Sequence, residues 1–282
     1  QQNVGKRSIC LDLTKPEAQQ VALRLAAEAD VVTENFRPGI MASFNLGWDD
    51  LRAVNPKLVM LSISGFGQEG PERDRASYAP IIHAEMGLLQ RQQQVAGAER
   101  PVDIALSVAD TSTGMHGLIG LLAALHHAQR TGTGQHVDMA MINALMFTDD
   151  YVHFAVDRTK IVSGGGIVFD ATGGPIMLAG DEKWYWRVFN TRAGVLEKQR
   201  SIEARQILTE VDDRDGGRRR VTNTPYKFSA ADAGVRGPAA YRGEHNYDAL
   251  ADWLGMAPSE IDALHDAGAL LAEDAAGTEK RG

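Results

Sequence analysis

Apolar positions along this chain follow two rhythms, short β-like runs and helical spacings, and they alternate through the first half. A strand is predicted over 8–13 and a helix over 14–28. Thr14 as its cap, Glu17 three residues on and Pro16 in the first turn mark the helix entry, and Ala18, Val21, Ala22 and Leu25 recur at helical spacing. A second strand follows Ala29, then a Pro38-Gly39 turn, short helices near 41–44 and 49–54, and a buried strand over 57–64 (KLVMLSIS). A glycine-rich loop starts at Gly65, and 80–91 reads as helix. Leu118, Ile119, Leu121, Leu122 and Leu125 predict a long helix with these residues on its buried side, followed by a basic turn at 130–134 and a strand over 135–139.

Further on, helices are expected to about Val156 and over 183–189, with a strand over 175–179. The polar run 197–220 reads as a solvated, exposed turn, 224–229 as a strand, and 246–255 and 259–267 as closing helices. Strand–helix alternation marks an α/β fold with an open parallel, Rossmann-like sheet and flanking helices. Ligands of such sheets sit beyond the carboxyl ends of the strands. The loops at 35–39 and 64–78 and the turn at Asp110 leave from those ends, so they are expected to share one crevice.

Composition narrows the function classes. A chain of 282 residues that is 44% hydrophobic can bury a sizeable core. The formal charge of −8 disfavours nucleic acid as a partner. Cys10, the single cysteine, excludes an internal disulfide and suits a reducing cytosol, so a cytoplasmic location is expected. The longest apolar run is too short to cross a bilayer, so no membrane partner is expected. No phosphate loop or nucleophile elbow occurs, and no pair of histidines has metal spacing. Asp110, followed by Thr111, Ser112, Thr113 and Gly114, reads as a helix cap, although an acid among small residues can also face a ligand closely.

Six segments in order resemble the family III CoA-transferases (CaiB/BaiF type), a group that includes the α-methylacyl-CoA racemases. They are GKRSICLDL from Gly5, ADVVTENFRPG from Ala29, LSISGFGQEGP from Leu61, ADTSTGM from Ala109, RTGTGQHVDM from Arg130, and RGEH from Arg242. The resemblance implies that Asp110 is the nucleophile that accepts an acyl group and then CoA. It places Leu11, Asn35 and Phe36 at CoA contacts, with Arg75 and Arg37 as cations for the CoA phosphates. Ser43 stands where relatives often carry arginine. Tyr78 and the glycines Gly164, Gly165 and Gly166 are implied at the acyl site. The substrates would be an acyl-CoA and a carboxylic acid, with no tightly bound cofactor and no metal. The family fold implies an interlocked homodimer.

In racemases of this group, the positions matching Tyr78 and Asp170 hold a proton-transferring histidine and glutamate. A tyrosine, with an ordinary pKa near ~10, is a poor base at neutral pH. CoA transfer is therefore the favoured activity, with racemisation or an inactive CoA-binding relative as alternatives. By the same resemblance, 1–156 is the large CoA-binding domain lacking an opening βαβ unit, 157–210 a reduced small domain, and 211–282 a segment returning to the large domain. The chain is read as a CoA-transferase, and whether so reduced a chain is active by itself stays open at this point.

Overall fold

In the computed structural model, residues 3–148, 167–171, 174–179, 186–189, 206, 208–231, 233–273 and 279–280 are described. The fold is α/β. Three parallel strands, β1 (Val31–Glu34), β2 (Val59–Ser64) and β3 (His136–Ala140), lie in the order β1-β2-β3. Parallel neighbours require crossovers. α2 (Ile40–Ser43) and α3 (Trp48–Val54) lie between β1 and β2, and α4 (Ala79–Glu85), α5 (Leu88–Ala96) and α6 (Val108–Thr131) between β2 and β3.

β2 is the centre of the sheet because both of its faces are apolar. Successive side chains of a strand point to opposite sides. Met60, with Leu58 just before the strand, packs with Ala26 of α1 (Pro16–Glu28) and Leu51 of α3. Val59 and Leu61 pack on the other face against Leu121, Ala124 and Ala128 of α6. Fully burying such side chains contributes roughly 1.5–3 kcal/mol each before entropy is counted.

α6 differs from expectation in which face it buries. Ala109, Ser112, Thr113, Gly117, Leu121, Ala124 and Ala128 face the protein, whereas Leu118, Ile119 and Leu122 are exposed. Small residues let the helix lie close on the sheet, and the Gly117 backbone comes down on the Leu61 side chain. The helix also begins at Val108, ahead of Asp110. After it, Gly134 passes so close to the Leu58 carbonyl that no side chain could fit there.

Several other local expectations are corrected. Residues 8–13 form no strand beyond an isolated bridge between Leu11 and Leu270. Their backbone is instead tied to the chain's end: His245 Nδ1 accepts from Ser8 N–H, Asn246 Oδ1 from Cys10 N–H, and Cys10 C=O from Leu271 N–H. Thr14 does not cap α1, because its hydroxyl and N–H both bond to Asp12. The helix expected over 80–91 is two helices, since Gly87 turns left-handed with φ of 70° between α4 and α5.

Residues 183–189 include a strand, β6 (Trp186–Phe189), where a helix was expected. It pairs antiparallel with β5 (Gly174–Ala179), which pairs with β4 (Ile167–Ala171), and its Trp-Arg-Val-Phe sequence has strand propensity. The charged run is likewise ordered into an antiparallel hairpin, β7 (Leu208–Asp212) and β8 (Arg218–Thr222), with Val211 and Val221 buried beneath its charges. No strand forms at 224–229.

α7 (Met141–Thr148) follows β3 directly, and α8 (Asn246–Leu254) and α9 (Pro258–Asp266) close the fold. Leu250 and Met256 with Ile261 pack there against Val21 of α1. Two short strands, β9 (Ala272–Glu273) and β10 (Glu279–Lys280), pair near the end. Among the described residues, no helix is long and apolar enough to cross a membrane.

Candidate active site

The three loops expected to converge do converge. A cavity of about 410 Å³ opens beyond the carboxyl ends of β1 and β2. Asn35, Phe36, Arg37 and Pro38 form its wall after β1; Ile63, Ser64 and Gly65 lie at the end of β2. Arg75, Ala76, Ser77 and Tyr78 enter from the start of α4, and Asp110, Thr113 and Gly114 from the first turns of α6.

Local chemistry explains each placement. Glu34 accepts a hydrogen bond from Phe36 N–H at 2.7 Å, which turns the chain sharply after β1 and leaves the Phe36 ring half exposed at the cavity. After β2, Ser64 Oγ accepts from Gly67 N–H and Asp138 from Gln68 N–H, so the glycine loop folds back toward the end of β3. Gly65 then lies against Ser77, and this brings Tyr78 to the strand end. Tyr78 is the N-cap residue of α4 and its C=O accepts from Ile81 and Ile82 N–H, while its ring is 75% exposed and free to meet a ligand.

Asp110 lies in the first turn of α6, where the positive end of the helix dipole favours a negative charge. It is not the cap: Ser107 holds that position, and no side chain caps the helix from there. The carboxylate is exposed and has no hydrogen bond or ion pair among the described residues.

The two candidate phosphate cations differ. Arg75 is engaged by Glu85 and, at 2.8 Å, by Glu72, and lies over the Phe66 ring at 4.5 Å. Glu85 and then Glu72 hold its guanidinium above its usual pKa, so its charge is internally matched. Arg37 has no ion pair among the described residues. Ser43 bonds to the Ile40 carbonyl.

Leu11 is not among the cavity-lining residues and packs against the cluster of Val21, Leu250 and Ile261. Gly164, Gly165 and Gly166 lie outside the described residues. Asp170 is on β4, in register with Pro175. No group of acids, histidines and cysteines fit to hold a metal occurs among the described residues.

One residue adjoining the site was not singled out by the sequence. His83 is 1% exposed, and its Nε2 accepts a hydrogen bond from Ala109 N–H, the residue before Asp110. The signal available in the sequence was a lone histidine after apolar neighbours in PIIHAE, which is too common to single out.

Residues 1–165 match the family described as CoA-transferase family III. The chain belongs to CoA-transferase family III. The beta subunit of succinyl-CoA–L-malate CoA-transferase from Chloroflexus aurantiacus is 30% identical, over 92% of this chain and 81% of that protein. That alignment spans 333 residues, more than the 282 of this chain, so the relative carries segments with no counterpart here.

Succinate–glutarate CoA-transferase from Agrobacterium fabrum is 43% identical over 141 residues, half of this chain but only 35% of that protein. The crystal structure of a CAIB/BAIF family protein from Brucella suis superposes with a TM-score of 0.75 at 23% identity, covering 89% of this chain and 82% of that one. The α/β fold is therefore that of the family.

Proposed function

We propose that this chain transfers coenzyme A between an acyl-CoA and a carboxylic acid, with Asp110 as the covalent nucleophile. The observation that carries the reading is a single cavity shared by Asp110, Tyr78, Asn35, Phe36 and Arg37 at the strand ends. A carboxylate is ionised at neutral pH and needs no separate base to attack.

Asp110 attacks the thioester carbonyl, the C–S bond breaks, and CoA leaves as thiolate from a mixed anhydride. The thiolate then attacks the aspartyl carbonyl, releasing the donor acid and forming an aspartyl-CoA thioester. The acceptor carboxylate attacks that thioester and expels the thiolate again. Thiolate attack on the new acyl group gives the product acyl-CoA and restores Asp110. Each addition places negative charge on a carbonyl oxygen near the start of α6, where the positive end of the helix dipole favours it.

Phe36 offers an apolar face to the CoA adenine, Arg37 a cation to its phosphates, and Tyr78 a hydroxyl to the acyl carboxylate or thioester oxygen. The relatives' names point to succinyl-CoA as donor and to malate or glutarate as acceptors. We place a second copy of the chain on the outer face of α6, where Met115, Ile119 and Leu122 are each more than half exposed.

The test incubates the protein with succinyl-CoA and each acid, then traps with hydroxylamine. An Asp110 hydroxamate found by mass spectrometry, together with the new acyl-CoA, is the expected result. Transfer without any label at Asp110 would falsify the nucleophile assignment. Exchange of the α-proton in deuterated water without acyl transfer would point to racemisation.

A further inference from the structure

We propose that His83 and Asp103 are positioning residues for Asp110, acting together as an internal cap on α6; the proposal rests on the reading of Asp110 as nucleophile. His83 projects from α4 into a site where it is 1% exposed. Its Nε2 accepts from Ala109 N–H at 3.1 Å, and its Nδ1 lies 3.0 Å from Asp103 Oδ1. An Nε2 that accepts carries no proton, so the proton is on Nδ1 and is donated to the Asp103 carboxylate. Asp103 thereby selects the one neutral tautomer that can receive the helix N–H, as carboxylates do for ligand histidines elsewhere.

The position of this contact gives it consequence. The first N–H groups of a helix have no partner within it. Ser107 supplies no side-chain bond to α6, so His83 takes over part of that role. Ala109 is wholly buried and its C=O also accepts from Thr113 Oγ1 at 2.6 Å, so the residue before Asp110 is gripped through both its N–H and its C=O. The Asp110 side chain has no partner of its own among the described residues. Its aim into the cavity is therefore set by the backbone of this turn. His83 does not line the cavity, so it acts through Ala109 and not on substrate.

The experiment compares His83→Leu, His83→Gln and Asp103→Ala in succinyl-CoA transfer, with thermal unfolding as a check on the fold. Misplacing a nucleophile by about 1 Å can cost on the order of 100-fold in rate. His83→Leu is expected to lower kcat by about that factor while the acyl-CoA KM stays within about twofold. His83→Gln, whose amide oxygen can still accept from Ala109, is expected to restore most of kcat. Asp103, 39% exposed at its side chain, can be removed with little risk to the core, and Asp103→Ala is expected to cost roughly tenfold in kcat.

A folded His83→Leu or Asp103→Ala protein with wild-type kcat overturns the proposal, as does a His83→Gln variant no better than His83→Leu. Imidazole 15N NMR of the wild-type protein gives an answer independent of turnover. A protonated Nδ1 and bare Nε2 are expected, and a protonated Nε2 overturns the cap. Absence of any Asp110 adduct in an otherwise sound wild-type protein removes the nucleophile reading alone, and the NMR result then still decides the cap.

Discussion

Gly65 and Ser77 approach so closely that a side chain at 65 would occupy the space of the Ser77 hydroxymethyl group. This contact joins the end of β2 to the entry of α4, and so helps place Tyr78 in the cavity wall that also carries Asp110. Overpacking of a tight contact costs typically ~1–3 kcal/mol. Gly65→Ala is therefore expected to lower stability by about that amount and to displace Tyr78. Denaturant melts would show the first effect and a raised KM for the carboxylic acid the second. A variant with wild-type stability and kinetics would mean that the Ser77 loop yields freely.

Asp110 separates catalysis from stability. Its carboxylate is exposed and interacts with the fold only through the start of α6, a contribution of about 0.3–1 kcal/mol. Asp110→Asn removes the nucleophile at nearly constant shape. Transfer is expected to fall by at least about 1,000-fold, the scale of losing a covalent route, while stability changes by less than ~1 kcal/mol. A large loss of stability would show that Asp110 is mainly structural.

The cations near the cavity should respond unequally. Arg37 has no ion pair among the described residues, whereas Arg75 is already matched by Glu85 and Glu72. Arg37→Ala is expected to raise the acyl-CoA KM by about fivefold, the upper range for an exposed ion pair. Added salt should erase the difference, because exposed charges are screened. Arg75→Ala is expected to change KM less and to loosen the loop before α4 instead. Equal KM effects would show that Arg75 exchanges its carboxylates for phosphate.

The outer face of α6 tests the second copy. Leu118, Ile119 and Leu122 contribute to no described core cluster and stay exposed, so a charge there costs the chain's own fold little. Ile119→Glu with Leu122→Glu is expected to block dimer assembly and leave a monomer in sedimentation, while α6 persists by circular dichroism. A wild-type protein that is monomeric at all concentrations would remove the second copy from the picture.

These leucines also show where sequence reading stops. Helical spacing locates α6, but it cannot say which apolar face meets the sheet. Here the small-residue face from Ala109 to Ala128 wins, because it allows closer approach to Leu61 and Val137. The charged hairpin was hidden for a related reason: only Val211 and Val221 are buried in it, too few to show period-two alternation among so many charges. By contrast β2 was legible, since a strand buried on both faces is a continuous apolar run. The loops at the strand ends were legible because they carry the residue patterns that resemble the family. Leu11 lies outside the cavity lining and packs beside the α1–α9 core, so its CoA role rests on the resemblance alone. His83 was invisible because its partners, Asp103 and Ala109, are distant in sequence and only the fold brings them together.

The link between the hairpin and the chain's last segment should be acid-sensitive. Arg214 bonds Glu244 at 2.7 Å, and Tyr241 N–H donates to the same carboxylate, so Glu244 is held below its ordinary pKa, first by Arg214. A depressed folded pKa means that the unfolded chain takes up the proton first on acidification. The stabilisation is therefore complete above the unfolded value, near ~4.3 for a glutamate, and is lost as pH falls through the folded value. Glu244→Gln removes this proton linkage. Its melting temperature is expected to lie below wild type at neutral pH and to converge with it as pH drops below about 4. Asp12 and Asp213 are held low by Thr14 and by the backbone N–H groups of Asp215 and Gly217, so they retain the remaining acid slope in the variant. Parallel melting curves for the two proteins down to strong acid would show that the Arg214–Glu244 contact contributes nothing to folding. Convergence would identify it as the tie that holds β7 and β8 to the RGEH segment.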